Sequence, residues 1–177
     1  MRRAQAGFSM IEILITIAIL MVGLLGLAGL QTQVAAAEFE AYQRAQALVL
    51  VQEMADRMAA NKKNAASYVM NDIGADGIEQ SGCDGTSNYK RDLCEFHNSL
   101  VGASEKKTAG GAAVGAMIGA RACITNPEPN LFIITLAWQG FASTKAPDEP
   151  CGAGAYGDDK KRRTVSFPLR VATLTVT

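Results

Sequence analysis

The sequence predicts an α+β fold: a long N-terminal helix, part membrane anchor and part amphipathic, packed on a small antiparallel β-sheet. Three observations predict it. Between residues 8 and 30 the only charge is Glu12, and the only other polar side chains are Ser9 and Thr16. From residue 31 to 60 apolar side chains recur at helical spacing, and no Gly or Pro interrupts them. Toward the C-terminus the pattern changes to strand-length apolar runs separated by turn residues.

With 177 residues, 49% hydrophobic and 19% charged, the chain has room for one ordinary domain and not for two large ones. Its 17 basic and 17 acidic residues cancel, so whole-chain charge does not point to nucleic acid. Charge is informative locally. Arg2 and Arg3 precede the apolar run without an acidic residue, which places them in the cytoplasm and sends the rest of the chain outward. The expected organisation is a short basic N-terminal segment at 1–7, a transmembrane helix at 8–30, its amphipathic continuation at 31–61, and an exported globular body at 62–177.

The apolar run is long enough to cross a bilayer, since about 20 helical residues span the roughly 30 Å hydrocarbon core. It is also longer than the about 7–15 apolar residues of a cleaved secretory signal, and it begins directly after Gly7. Glu12 is the residue that asks for an explanation. A carboxylate inside an anchor costs around 2.5–3.5 kcal/mol on insertion scales unless a partner or the headgroup region relieves it. As a lone acidic residue near the start of the run, it has the alternative of snorkelling to the headgroups.

Gly7-Phe8-Ser9-Met10-Ile11-Glu12, continued by the apolar run from Ile13 to Leu20, resembles the type III signal of type IV prepilins. That pattern is a short basic leader ending in Gly, then Phe, then Glu four residues later, then an unbroken apolar helix. The resemblance implies that a prepilin peptidase cuts between Gly7 and Phe8 and methylates the new amine of Phe8. Glu12 becomes the fifth residue of the mature chain and meets the N-terminal amine of a neighbouring subunit. An unpaired buried charge is strongly unfavourable, so docking into a filament would relieve it. Major pilins commonly carry a proline in this helix at the position where Gly29 stands. Gly23, Gly26 and Gly29 form a three-residue spacing. Each weakens a helix by about 1 kcal/mol relative to alanine, so they serve either local unwinding during assembly or close packing against another helix.

The helix is expected over residues 8–61, with Leu48, Val51, Met54 or Ala55, and Met58 on its core-facing stripe. Glu40 with Arg44, and Glu53 with Arg57, are i,i+4 pairs of favourable orientation. A Gly, Asp and Ser-rich stretch at 71–88 reads as a loop, and 91–101 as a short helix with Leu93, Phe96 and Leu100 on one face. Strands are expected at 117–125, 131–139 and 164–176, the first two joined by a turn at 126–130.

Cys83, Cys94, Cys123 and Cys151 all lie on the exported side, and none forms a C-x-x-C pair. An even count in an oxidising compartment favours disulfides over a metal site. Three connectivities are open, and sequential pairing, which closes two short loops, is preferred. Gly152, Gly154 and Gly157 satisfy G-x-G-x-x-G, but no strand precedes them and no helix follows, so a disulfide-anchored loop is the better account. His97 is the only histidine and is expected at the surface. The run Lys160 to Arg163 is expected as a solvated turn, partly neutralised by Asp158 and Asp159.

The Asp92-Leu93 helix, the strand ending Ala137-Trp138-Gln139-Gly140, and a last strand reached through basic residues resemble minor pilins of the PilV kind. That resemblance implies a subunit that primes or supports pilus assembly, and hence adhesion and twitching. It would be held in the inner membrane by a single pass and then carried to the pilus. Its partners would be the prepilin peptidase, other minor and major pilins, the inner-membrane assembly platform and the lipid bilayer. No enzyme activity, cofactor, metal or small-molecule substrate is expected, and DNA is a disfavoured partner. A type II secretion pseudopilin shares the N-terminal logic and stands as the alternative, with a pilus-borne adhesin or DNA-binding subunit behind it.

Overall fold

The protein is represented by a computed structural model, which describes residues 7–74, 83, 87–102 and 117–172. In chain order it contains helix α1 (Met10–Ala60), a 3-10 helix (Lys62–Tyr68), strand β1 (Met70–Ile73), helix α2 (Asn88–Val101), strands β2 (Arg121–Glu128) and β3 (Leu131–Gln139), a short 3-10 turn (Asp159–Lys161) and strand β4 (Arg162–Arg170). The chain divides into two units between Phe39 and Glu40. The described part of the first is helical from Met10 onward. The second holds the sheet and the core.

Within the second unit α1 buries one stripe: Gln43, Ala47, Leu50, Val51, Met54, Ala55 and Met58. Leu48, expected on that stripe, is exposed, because it sits on the flank of the arc that the others define. The sheet order is β1-β2-β3-β4 with every neighbouring pair antiparallel. Alternation divides the two faces. Phe132, Ile134, Leu136 and Trp138 of β3, with Ala122 and Ile124 of β2, join the α1 stripe, Leu93, Phe96 and Leu100 in one buried cluster. The opposite face carries a second, smaller cluster of Cys123, Ala137, Cys151 and Tyr156. A long N-terminal helix whose later part packs on a four-stranded antiparallel sheet is the α+β layout of a pilin.

Several boundaries differ from those the sequence suggests. Residues 71–73 are not loop but most of β1, a strand of four residues of which three are exposed. So short and polar a segment shows no alternation, and it pairs with β2 through a bulged register. β2 starts at Arg121 because 117–120 form a turn with Gly119 at φ 60°. It also runs on to Glu128, and the chain reverses at Pro129 and Asn130, the latter at φ 63°, a conformation asparagine tolerates. α2 begins three residues earlier than expected and ends at Gly102, whose φ of 66° closes the helix in the left-handed manner. β4 covers residues 162–170 rather than 164–176, of which 173–176 lie outside the described residues.

Candidate functional site

The N-terminal unit is one apolar rod. α1 is the one helix among the described residues long and apolar enough to cross a membrane, and its most apolar window is wholly exposed within this chain. Phe8 and Met10 are 80% and 83% exposed, and large apolar residues from Ile11 to Leu30 show on every side. None of the described residues covers them, which fits a cover of lipid or other helices.

Within the apolar run of this unit, the polar side chains Ser9, Glu12 and Thr16 lie toward its start. The Ser9 carbonyl accepts from the Glu12 N–H at 3.1 Å and from the Ile13 N–H at 3.4 Å, so the first turn forms immediately after Ser9. Glu12 therefore lies in the first turn, where unpaired backbone N–H groups and the helix dipole favour a negative charge. Gly7 and Phe8 precede the helix in extended or irregular backbone. A Cβ added at Gly23, Gly26 or Gly29 would meet nothing within 4 Å. Nothing among the described residues demands glycine there, although α1 runs through all three without a break.

The cysteines join as Cys83–Cys94 and Cys123–Cys151, with Cα separations of 5.5 and 5.8 Å. The first ties α2 to the segment before it, and Asn98 Nδ2 donates to Cys83 Sγ at 3.1 Å. The second ties β2 to the long connection between β3 and β4, on the sheet face away from α1.

Three polar groups sit where the sequence did not place them. The basic run is not simply a solvated turn: Arg162 is 2% exposed. Its guanidinium donates to the carbonyls of Pro147 and Cys151 at 3.0 Å each, to that of Glu149, and to the Asp159 carboxylate at 2.7 and 2.8 Å. His97 is not a surface residue but buried, its Nδ1 accepting the Gly74 N–H at 3.1 Å, and burial pushes its pKa below the usual imidazole value. Glu40 pairs not with Arg44 but with Arg163, 123 positions away, at 3.2 Å. It also accepts the N–H groups of Phe141 and Ala142 at 3.0 and 3.2 Å. Burial opposes ionisation of Glu40, yet those N–H groups and Arg163 outweigh it and hold the carboxyl below its ordinary range.

The other expected pair forms. Arg57 bonds Glu53 at 2.7 Å, and it also engages Glu95 and, at 3.5 Å, Asp92 of α2. Asp92 in turn accepts from the buried Tyr68 hydroxyl, which itself accepts from Asn61 Nδ2 at 2.9 Å. Burial first, and then the Asp92 hydrogen bond, push the Tyr68 pKa to about 12. This network couples α1, the 3-10 helix and α2. No one-dimensional signal announces it, because its bonded partners are up to 38 positions apart. The glycines of the G-x-G-x-x-G run have φ of 67°, 74° and 73° in a chain of turns, with no phosphate-binding strand and helix around them.

Residues 2–28 match the family model described as the prokaryotic N-terminal methylation motif. Neither a curated protein nor a solved structure matches the chain. The matched segment holds Gly7, Phe8 and Glu12, and it coincides with the exposed apolar part of α1. Motif, anchor-type helix and pilin layout together support a type IV pilin-like protein or pseudopilin subunit, processed by a prepilin peptidase and assembled with other pilins.

Proposed function

We propose that this chain is a minor pilin of the PilV kind, a structural subunit that primes or supports assembly of a type IV pilus. Arg2 and Arg3 stay on the cytoplasmic side, the apolar half of α1 crosses the inner membrane, and the disulfide-bonded body faces the periplasm before the subunit enters the filament. Prepilin peptidase removes residues 1–7 and methylates the freed amine of Phe8. The protein itself supplies no catalytic group to this step.

The observation that carries the proposal is Glu12, a carboxylate in the first turn of an otherwise apolar helix, directly after a Gly7-Phe8 junction. In lipid that charge is unfavourable by about 2.5–3.5 kcal/mol. A charged amine from the next subunit offsets it, so the subunit gains most by leaving the bilayer for the filament. The exposed apolar rod then supplies the contact area, and the second unit supplies a body held rigid by its core and two disulfides.

Two substitutions and one deletion test this. Replacing Gly7 by Trp should leave the leader attached, read as an unshifted mass of the membrane-bound chain. Glu12→Leu should leave cleavage intact and reduce incorporation into sheared filaments at least about tenfold, as expected for loss of a buried charge pair. Deleting the gene should abolish or thin the surface pili. Loss of secreted enzymes with normal pili would move the assignment to a type II secretion pseudopilin.

A further inference from the structure

A cleft of about 340 Å³ opens where α1 meets the end of the β3-β4 pair, lined by Glu40, Ala41, Arg44, Trp138, Arg163 and Thr164. Trp138 and Arg163 are register partners on β3 and β4, so their side chains stand on the same face of the sheet. Arg163 is fully committed there. It holds Glu40, the Ala142 carbonyl at 2.7 Å and the Thr144 hydroxyl at 2.9 Å. Two other residues lining this cleft carry donors that are not. Arg44, which the expected pair with Glu40 would have occupied, has no hydrogen-bond or ion-pair partner among the described residues. Trp138 is 3% exposed, and its indole Nε1 is buried without an acceptor. A buried N–H left unmet costs about 1–3 kcal/mol, so such a group calls for an occupant.

The charge balance narrows the occupant's chemistry. Arg44 and Arg163 contribute two positive charges and Glu40 one negative, a surplus of one. A carboxylate matches that surplus, whereas a phosphate at neutral pH carries about 1.5–2 negative charges. We propose that this cleft is a socket for a single carboxylate, held between the Arg44 guanidinium and the Trp138 indole N–H. In the filament its occupant is an acidic side chain of an adjoining subunit, a part of the inference that rests on the proposed pilin function. Arg44 would grip one or both oxygens, and the indole N–H would fix the orientation of the group.

Trp138 is the only tryptophan in the chain, so its indole N–H gives a single resonance and reports the socket directly. The full chain, labelled at the indole nitrogen in detergent micelles, is titrated with sodium acetate, sodium phosphate and sodium chloride at matched ionic strength. Acetate should shift the resonance saturably and chloride should not. Arg44→Gln should weaken the acetate response at least about tenfold, the loss expected for one charge-assisted hydrogen bond. The exposed control Arg91→Gln should leave it unchanged. A response to phosphate without one to acetate would overturn the carboxylate assignment. No response to any anion would overturn the socket altogether and leave the N–H to water. In cells, Arg44→Glu should lose cross-linking to other pilins while its leader is still removed. Normal cross-linking of that variant would overturn the subunit-derived occupant. An uncleaved leader in the wild type would overturn the pilin function and leave the titration result standing.

Discussion

Arg162 and His97 show how much of this fold rests on single polar residues in positions that composition does not reveal. Arg162 replaces solvent for three carbonyls of the connection between β3 and β4, and its side chain is 3% exposed. Arg162→Met keeps the length of the stem but leaves those carbonyls and Asp159 without their donor. A loss of about 3 kcal/mol in unfolding free energy is expected, measured by denaturant titration of the full chain in detergent. His97 acts through its neutral form, since Nδ1 must accept from Gly74. Its folded pKa lies below the ordinary 6.5, so the unfolded chain binds the proton more readily. Stability from this group is therefore complete above about pH 6.5 and drains away as the pH falls through the lower folded value. Thermal unfolding followed from about one unit above the ordinary imidazole pKa to about one and a half units below it should show that decline. His97→Gln should flatten it.

Among the elements, α1 and the β2-β3 hairpin were legible because each carries a long, regular signal. An unbroken apolar run, a following helical stripe and two apolar strands around Asn126-Pro127-Glu128-Pro129-Asn130 each point to one structure. β1 was not legible, because four mostly exposed residues have no periodicity to read. Glu40 illustrates a different limit. A local partner four residues away matches in sequence, but the N–H groups of Phe141 and Ala142 and the fixed Arg163 offer a better site, and tertiary geometry wins. The Cys123–Cys151 disulfide performs at element scale what Arg162 performs at residue scale, holding the long connection to β2. Replacing both cysteines by alanine should lower stability by about 2–5 kcal/mol, as for a native bridge in a small disulfide-bonded domain. The sheet itself should persist, because Phe132, Ile134, Leu136 and Trp138 pack on α1 without that bridge. Far-UV circular dichroism of the folded variant checks the second half of that expectation.

For the molecule as a whole, the exposed apolar rod and the packed body divide the work. The body has a core of its own, whereas the rod has large apolar side chains that no described residue covers. Such a surface is stable only in lipid or among other helices, and under the proposed function Glu12 would favour neighbours that bring a positive charge. The N-terminal methylation motif was legible because it is local: residue types, order and spacing fall within a dozen positions. The identity of the neighbours was not, because it depends on surfaces of other chains. The most direct measurement is the intact mass and N-terminal sequence of the native protein recovered from membranes and filaments. The chain should begin at Phe8, lack residues 1–7, and carry one methyl group on its amine. A mature protein that still begins at Met1, or that starts at an unmethylated residue elsewhere, would contradict the account.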